Sequence, residues 1–302
     1  MSRYTFAALV LCAATACAQD QIQRARKLNA EGKQALALAL YEEVLEKTPS
    51  SYDANLGAGV VLDLDGQYVK ARKYLTKAIA VAPPESKPQA LTSMAISYAF
   101  TGDCKNSSKY EQEVFDLKVS AQDWTAAAEV ANEAGRLCLE SGVFDDAEKW
   151  YKTGHEMALK KSDLSPAETD LWTLRWEHAQ ARLAARRHQP AQAGQHASAV
   201  KTIVDQGTNP QQALFYPYLA GYVAFYAGDY KLAASELKKA DQRDPFILSL
   251  LAQSLEKTGG KAEAGGKAEA IDLYRKIMTI NSHNPTNAFA RPLARKKMAN
   301  IV

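Results

Sequence analysis

The fold is decided by residues 59–83, GVVLDLDGQYVKARKYLTKAIAVAP, which end at Pro83. An earlier stretch has the same layout and ends at Pro49, 34 residues before Pro83. Counted back from the two prolines, small or apolar residues recur at equal distances: Gly32 and Gly66, Ala37 and Ala71, Tyr41 and Leu75, Val44 and Ala78. A period near 34 with small residues at fixed positions is typical of stacked helical hairpins.

The same layout returns in residues 221–245, GYVAFYAGDYKLAASELKKADQRDP. Weaker copies lie around Gly102, around Gly142, between Pro166 and Val204, and after Ala252. The register of the copy that follows Pro166 cannot be fixed from the sequence. The turn glycines favour a positive φ, and the closing prolines end a helix because proline cannot continue it.

These segments resemble the tetratricopeptide repeat (TPR) family. Its hallmarks are a small residue in the first helix, a Gly-Asp-Tyr-like turn, an alanine in the second helix and a closing proline. The resemblance covers roughly residues 19–290. It implies an all-α fold, a right-handed solenoid of stacked antiparallel helix hairpins with about seven to eight repeats. On function the resemblance says little, because this scaffold serves many tasks.

One irregularity interrupts the last repeat. Residues 259–264, GGKAEA, are followed by an identical copy at residues 265–270. Because surface turns tolerate insertions at small cost, we predict that both copies lie in the turn between the two helices of the last hairpin.

Residues 1–18 are predicted to be a secretory signal peptide. Arg3 gives a positive start, an apolar run follows, and Ala16-Cys17-Ala18 forms an A-x-A cleavage site. The expected location is therefore periplasmic or secreted. Two alternatives remain open at this point. The residues before Cys17 resemble a bacterial lipobox, which would give a lipid-anchored protein, or the segment is a buried first helix of the array.

Charge is unevenly distributed along the chain. The formal net charge is +3, yet no acidic residue follows Asp272. We therefore predict a solenoid over residues 19–290 and a basic C-terminal tail over residues 291–302. The tail would be either a solvated terminal helix or a weak contact with an anionic surface. Its few basic residues do not support a nucleic-acid partner.

If export removes residues 1–18, two cysteines remain, Cys104 and Cys138. An even pair in an oxidising compartment is compatible with a disulfide. Cys104 is predicted to open the second helix of one hairpin and Cys138 to lie late in the first helix of the next. Whether the two form a bond or stay as buried thiols is left open by the sequence.

No catalytic pattern is present in the sequence. The five histidines lack the H-E-x-x-H spacing of metal sites, and neither a phosphate-binding loop nor a nucleophile elbow occurs. We therefore expect a protein without enzymatic activity, cofactor or metal.

The candidate binding residues form an aromatic stripe at helical spacing, which the resemblance assigns to the concave face of the array. The stripe consists of Phe215, Tyr218, Tyr222, Phe225 and Tyr226. The alternative is that these rings pack against the neighbouring hairpin with Trp172 and Trp176.

The same positions of the repeat hold Asp53, Leu56, Val60 and Asp63 in one other helix, and Glu129, Asn132, Arg136 and Glu140 in another. A polar groove with one aromatic station suits an extended peptide or a partner helix. We therefore predict a non-catalytic interaction scaffold with a protein or peptide partner, and we count Asn132 and Arg136 among the binding residues. The alternatives are a carbohydrate- or lipid-handling accessory of the envelope and a regulatory subunit of an enzyme complex.

Overall fold

The chain is all-helical wherever the structure describes it. The computed structural model describes residues 18–258 and 264–300, and neither range contains a β-strand. The first helices are α1 (residues 18–30), α2 (Gln34–Lys47), α3 (Tyr52–Asp65), α4 (Tyr68–Val81) and α5 (Lys87–Ala99). The next are α6 (Cys104–Ser120), α7 (Trp124–Glu140), α8 (Phe144–Ala158), α9 (Pro166–Arg186) and α10 (Pro190–Asp205). A 3-10 helix, Pro210–Phe215, leads to α11 (Tyr216–Ala227), α12 (Tyr230–Leu237), α13 (Pro245–Thr258), α14 (Ala264–Thr279) and α15 (Pro285–Ala299).

Within the described residues, α3 and α4 form a hairpin in one compact unit, and α7–α8, α9–α10, α11–α12 and α13–α14 form consecutive hairpins in a second unit, where α15 follows as a single helix. Gly66 and Gly228 end the first helices of their hairpins with φ of 87° and 85°, a conformation that glycine adopts without steric cost. In the turn between α9 and α10 the corresponding positive φ of 56° belongs to His188. The missing glycine explains why the sequence did not reveal the register of this hairpin.

The two helices of a hairpin touch at a small residue and a large one sixteen positions later. Three pairs show it: Gly59 with Leu75, Gly135 with Tyr151, and Gly221 with Leu237. A Cβ atom on Gly59 would lie 2.7 Å from Leu75 Cγ, and one on Gly221 would lie 2.6 Å from Leu237 Cγ. Because real Cβ atoms do not approach so closely, glycine is required for this helix spacing.

The contacts of the described residues fall into two compact units. Unit 1 comprises the chain up to Ser97 together with Asn281–His283, and unit 2 comprises Tyr98–Ile280 and the chain from Asn284. The sequence analysis predicted one array over residues 19–290, whereas the contacts divide the described residues into two units.

Unit 1 contains a buried polar cluster at Asp63. Ser97 Oγ donates to Asp63 Oδ1 at 2.8 Å, and His283 Nε2 lies 2.9 Å from Asp63 Oδ2. Asp63 has no exposed surface, so its predicted position on an open groove is wrong. The carboxylate is instead an internal acceptor, as a buried charge must be.

Unit 2 has its largest core cluster around Tyr222, Leu237, Leu248 and Tyr274, all of which are fully buried or nearly so. Side-chain caps fix where its helices begin. Ser165 starts α9 with a complete capping box, in which its hydroxyl accepts from the Glu168 backbone N–H and the Glu168 carboxylate accepts from the Ser165 backbone N–H.

The structure corrects the prediction for the duplicated segment. The second copy, residues 265–270, lies inside α14, which begins at Ala264, and the Ala270 side chain is buried. It is therefore part of a helix and not of the turn. Residues 259–263 of the first copy lie outside the described residues.

Residues 291–299 belong to α15 and do not form a separate tail. Ala290 and Ala294 are fully buried in the core of unit 2, and Arg291 donates to the Ile280 carbonyl oxygen at 2.8 Å. The predicted signal peptide and Cys17 lie outside the described residues, apart from residue 18.

Candidate functional site

A cavity of about 560 Å³ opens in unit 2. Its walls come from α7, α8, α9, the 3-10 helix, α11 and the start of α15. Helix α7 contributes residues at i, i+3, i+4 and i+7, which lie on one helical face: Glu129, Asn132, Glu133 and Arg136. Helix α9 contributes Leu174, Arg175, His178 and Arg182. The polar side chains of two neighbouring first helices thus share one cavity.

Four of the predicted binding residues meet at this cavity: Asn132, Arg136, Phe215 and Tyr218. Phe215 is 52% exposed at the end of the 3-10 helix, whereas Tyr218 is buried. The Asn132 side-chain amide donates to the Ala128 carbonyl oxygen one turn earlier at 3.1 Å.

The rest of the aromatic stripe does not form an exposed surface, and the prediction of five binding rings is wrong in this respect. Tyr222 has no exposed area, and its hydroxyl donates to Glu140 Oε1 at 3.0 Å. Phe225 and Tyr226 pack against the same core. The reason is that α11 is apolar on all sides, which is typical of a helix buried between neighbours.

The stripe's packing partners also differ from the tryptophans that the sequence suggested. The Tyr222 ring centroid lies 4.7 Å from that of Tyr226 and 6.4 Å from that of Phe246. Trp176 stacks on His155 at 5.1 Å.

Two arginines of the cavity lack an ion-pair partner. Arg182 is only 7% exposed, and its Nε approaches the His178 carbonyl oxygen at 3.4 Å. The Arg136 guanidinium lies about 6 Å from the Tyr218 ring, and its buried Nε has no hydrogen-bond partner. Within the described residues, no carboxylate comes within 4.0 Å of either guanidinium.

Neighbouring arginines of α9 are paired, in contrast to Arg182. Arg175 Nη1 lies 3.5 Å from Glu129 Oε1, and Arg186 Nη1 donates to Glu140 Oε2 at 2.7 Å. The lack of a partner is therefore specific to Arg182 among these arginines and is not a general property of α9.

Burial also sets the protonation of the other polar groups in the cavity. It lowers the pKa of His178 well below its usual range, and the charges of Arg182 and Arg136 lower it further, so the imidazole is neutral. Burial raises the pKa of Tyr151 to about 12 and that of Tyr218 above its usual value. Both hydroxyls therefore keep their protons and can donate hydrogen bonds.

Sequence reasoning missed Tyr151, Arg175, His178 and Arg182. The last three belong to α9, whose register was unreadable because His188 stands in place of the turn glycine. Tyr151 was recognised only as a repeat position, and nothing in the sequence indicates that its hydroxyl borders a cavity.

The two cysteines join the neighbouring helices α6 and α7 of unit 2. Cys104 is the first residue of α6, and Cys138 lies in the last turn of α7, where the sequence predicted them. Their Sγ atoms are bonded, and the Cα atoms are 4.8 Å apart. This separation is within the range that a disulfide requires.

Unit 1 has smaller cavities, and one of them collects three other predicted groove positions. A cavity of about 340 Å³ is lined by Asp53, Leu56 and Val60 together with Arg26 and Asn29. Asp53 forms an ion pair with Arg26, so this cavity holds a paired charge.

Metal and membrane features were sought in residues 18–258 and 264–300. No group of three histidine, cysteine, aspartate or glutamate side chains there is arranged to hold a metal ion. No helix in the same ranges combines the length and the apolar composition that crossing a membrane requires.

Comparisons with known proteins agree with this architecture. Residues 28–95 match the family model of the tetratricopeptide repeat. A tetratricopeptide repeat protein from Parabacteroides merdae ATCC 43184, known from a crystal structure, is similar over 92% of this chain and 98% of that chain, with 13% identity and a TM-score of 0.52. The predicted all-α fold of helical hairpins is confirmed, and the predicted family is supported by the match over residues 28–95.

A second solved structure, the TPR domain of P58(IPK), aligns over 94% of this chain and 99% of that chain at 14% identity. Its TM-score of 0.32 is too low to support a conclusion about the fold. No curated protein matches the chain.

Proposed function

We propose that the chain is a non-catalytic scaffold for protein–protein interaction in the cell envelope or periplasm, and that it holds a peptide or a helix of its partner in the cavity of unit 2. Tetratricopeptide repeats generally mediate contacts between proteins, through the surfaces that their stacked hairpins create. The partner's identity does not follow from the fold.

The observation that carries the proposal is an exposed apolar side chain at the edge of a cavity that polar side chains also line. Leu214 and Phe215 are 73% and 52% exposed at the end of the 3-10 helix, and Phe215 borders the cavity. Exposed apolar side chains beside polar groups are typical of a binding surface, where an aromatic anchor supplies much of the affinity.

The carbohydrate alternative receives less support from this cavity. Sugar stacking favours exposed aromatic faces beside carboxylates, but Tyr218 is buried, and two arginines of the cavity have no ion-pair partner. A regulatory subunit would differ from a general scaffold only in that its partner is an enzyme.

A site-specific crosslink tests the proposal. A photoreactive phenylalanine analogue is placed at position 215 and, as a control, at position 69, where Val69 is 71% exposed in unit 1. We expect one protein partner to crosslink at position 215 in envelope preparations and not at position 69. Identical adducts at both positions, or none at position 215, would contradict the proposal.

A further inference from the structure

We propose that the cavity of unit 2 binds an anionic group, a carboxylate or a phosphate, which Arg136 and Arg182 hold together with the hydroxyls of Tyr151 and Tyr218. The inference deepens the proposed function and rests on it for the assumption that the anion belongs to the molecule that occupies the cavity. The anion itself is inferred from the groups below.

The first argument is the cost of burying charge without a partner. Burying an ion is expensive, and proteins normally compensate it with an opposite charge. Arg182 is almost completely buried, and its only described hydrogen bond is the 3.4 Å contact with the His178 carbonyl oxygen. Burial and the charge of Arg182 both act against the charged form of Arg136, but Tyr218, Asp244 and Glu140 outweigh them, and the pKa of Arg136 is raised overall. An anion in the cavity would remove both penalties.

The second argument is the convergence of unused donors. Arg136 Nε, the Tyr151 hydroxyl and the Tyr218 hydroxyl are each buried without a hydrogen-bond partner. Buried polar atoms are seldom left unsatisfied, and such an atom calls for an explanation. All three belong to residues that line the same cavity, and all three can donate.

The third argument is that the acidic residues of the cavity do not neutralise these arginines. Glu129 pairs with Arg175. Glu133 forms no ion pair with the described residues, and burial raises the pKa of its carboxyl group, which weakens its charge. Three arginines thus face two glutamates, of which one is already paired, and the cavity keeps a positive balance. Planar guanidinium groups match the oxygens of a carboxylate or phosphate.

The size of the cavity indicates what carries the anion. About 560 Å³ exceeds the volume of a lone carboxylate or phosphate, so the anion is one group of a larger ligand. Phe215 at the rim would contact the remainder of that ligand.

Calorimetry on the protein lacking residues 1–18 tests the inference. The probes are phenyl phosphate and phenylacetate. Benzyl alcohol is the neutral control, and chloride keeps the ionic strength constant in all titrations. We expect the anions to bind and benzyl alcohol not to bind. Phenyl phosphate binding tighter than phenylacetate would identify a phosphate site, and the reverse order would identify a carboxylate site.

Variants separate a binding role from a structural one. Arg136→Met and Arg182→Met should each raise the Kd of the better anion at least tenfold, roughly the effect of losing one charged hydrogen bond. They should also raise Tm without anion, because they remove an unpaired buried charge. Arg243→Met is the matched control, since Arg243 is exposed and pairs with Asp241, and it should change neither quantity.

If an arginine variant fails to fold, Tyr218→Phe replaces it, because it removes only the unpartnered hydroxyl. It should weaken anion binding without lowering Tm. Absence of anion binding to the unmodified protein would overturn the inference. So would an Arg182→Met variant that melts lower and binds the anion as before.

The same data distinguish this inference from the proposed function. A crosslink at position 215 without any anion binding would preserve the scaffold and remove the anion site. Anion binding without a crosslinked protein would preserve the site and remove the scaffold.

Discussion

Glu111 is a charged residue at a repeat position that is apolar or aromatic in other hairpins. It follows Ala95 by sixteen residues, as Leu75 follows Gly59 and Tyr151 follows Gly135. Its side chain is 1% exposed, and Oε1 has no hydrogen-bond partner. Burial raises the pKa of Glu111 well above its ordinary value of 4.5, and the charge of Glu133 raises it further.

The Glu111→Gln variant should therefore change the pH dependence of stability. The folded protein retains a proton that the unfolded chain releases, so the free energy of unfolding falls as pH rises from about 4.5 towards the folded pKa. We expect the variant to lack this decrease and to be more stable at pH 8 by about 1–3 kcal/mol. Urea unfolding between pH 4.5 and 8 measures it.

The exposed Glu113 provides the control, and Glu113→Gln should follow the wild-type pH profile. A constant stability difference between Glu111→Gln and wild type at every pH would contradict the assignment of a raised pKa.

Two rings of the predicted stripe should lose very different amounts of stability on truncation. Tyr222→Ala removes a fully buried ring and should lower the free energy of unfolding by about 3–5 kcal/mol. Phe215→Ala removes a ring that is half exposed and should cost less than about 1 kcal/mol. Denaturant unfolding of both variants checks this. Tyr222→Phe, which loses only the hydrogen bond to Glu140, should fall between them, and equal losses for Ala at both positions would contradict the burial pattern.

At the scale of single helices, the duplicated segment has an unusual property. Deleting either copy of GGKAEA produces the same sequence, because the copies are identical and adjacent. After deletion, one copy still precedes Ile271, and Ala264 takes the place of the buried Ala270. The distance between Ala252 and Tyr274 shrinks from 22 to 16 positions, the spacing of the other hairpins.

We therefore expect deletion of residues 265–270 to change Tm by only a few degrees, although these residues are helical in the structure. Replacing them with six glycine and serine residues should lower Tm much more, because the first turns of α14 would lose their buried alanine. Thermal melts followed by circular dichroism compare the two variants. A large fall in Tm on deletion would mean that the fold requires the longer spacing between Ala252 and Tyr274.

The disulfide links α6 and α7 across 34 residues of sequence. Closing a loop of this length should stabilise the folded chain by about 3–4 kcal/mol in the chain-entropy description. We expect the Cys104→Ala, Cys138→Ala double variant to lose about this much in denaturant unfolding. Thiol titration of the denatured, unreduced protein without residues 1–18 should find neither of its two cysteines free. Two titratable thiols would remove the bond.

Much of the hairpin arrangement could be predicted because its signals are local. A glycine at a turn and a small residue opposite a large one are both visible in the sequence, as Gly66 and the Gly59–Leu75 pair illustrate. The hairpin after Pro166 was obscured because His188 adopts the conformation that glycine usually provides.

The candidate site was only partly predictable, because periodicity identifies a helical face but not what covers it. Asn132 and Arg136 reach the cavity at the positions that the repeat suggests. Tyr222 lies one turn after Tyr218 on the same helical face, but the packing of α11 against its neighbours buries Tyr222 completely. Whether a carboxylate comes close enough to pair with Arg182 depends on distances between helices, which no sequence pattern reports.

For the molecule as a whole, export is a prediction from residues that the structure does not describe. Cleavage after Ala18 would give a chain that begins at Gln19, and the disulfide agrees with an oxidising compartment. We expect the intact mass of the purified protein to correspond to residues 19–302. A chain that begins at an acylated Cys17 would support the lipid-anchored alternative, and an uncleaved chain would contradict export.

The predicted contact of the basic C-terminus with an anionic surface now has fewer charges available. Lys297 pairs with Glu256 at 2.6 Å, and Arg291 is buried against the Ile280 carbonyl group. Basic side chains that are engaged within the fold contribute little to attraction at a distance.

The pairing of a glycine with a large residue sixteen positions later also bears on how such chains recombine. A crossover between hairpins transfers both members of a pair, such as Gly221 and Leu237, and keeps their fit. A crossover in the turn at Gly228 separates them and can place an alanine against a leucine, or two small residues together. Gene shuffling among repeats should therefore yield folded chimeras mainly when the breakpoints fall after the second helix.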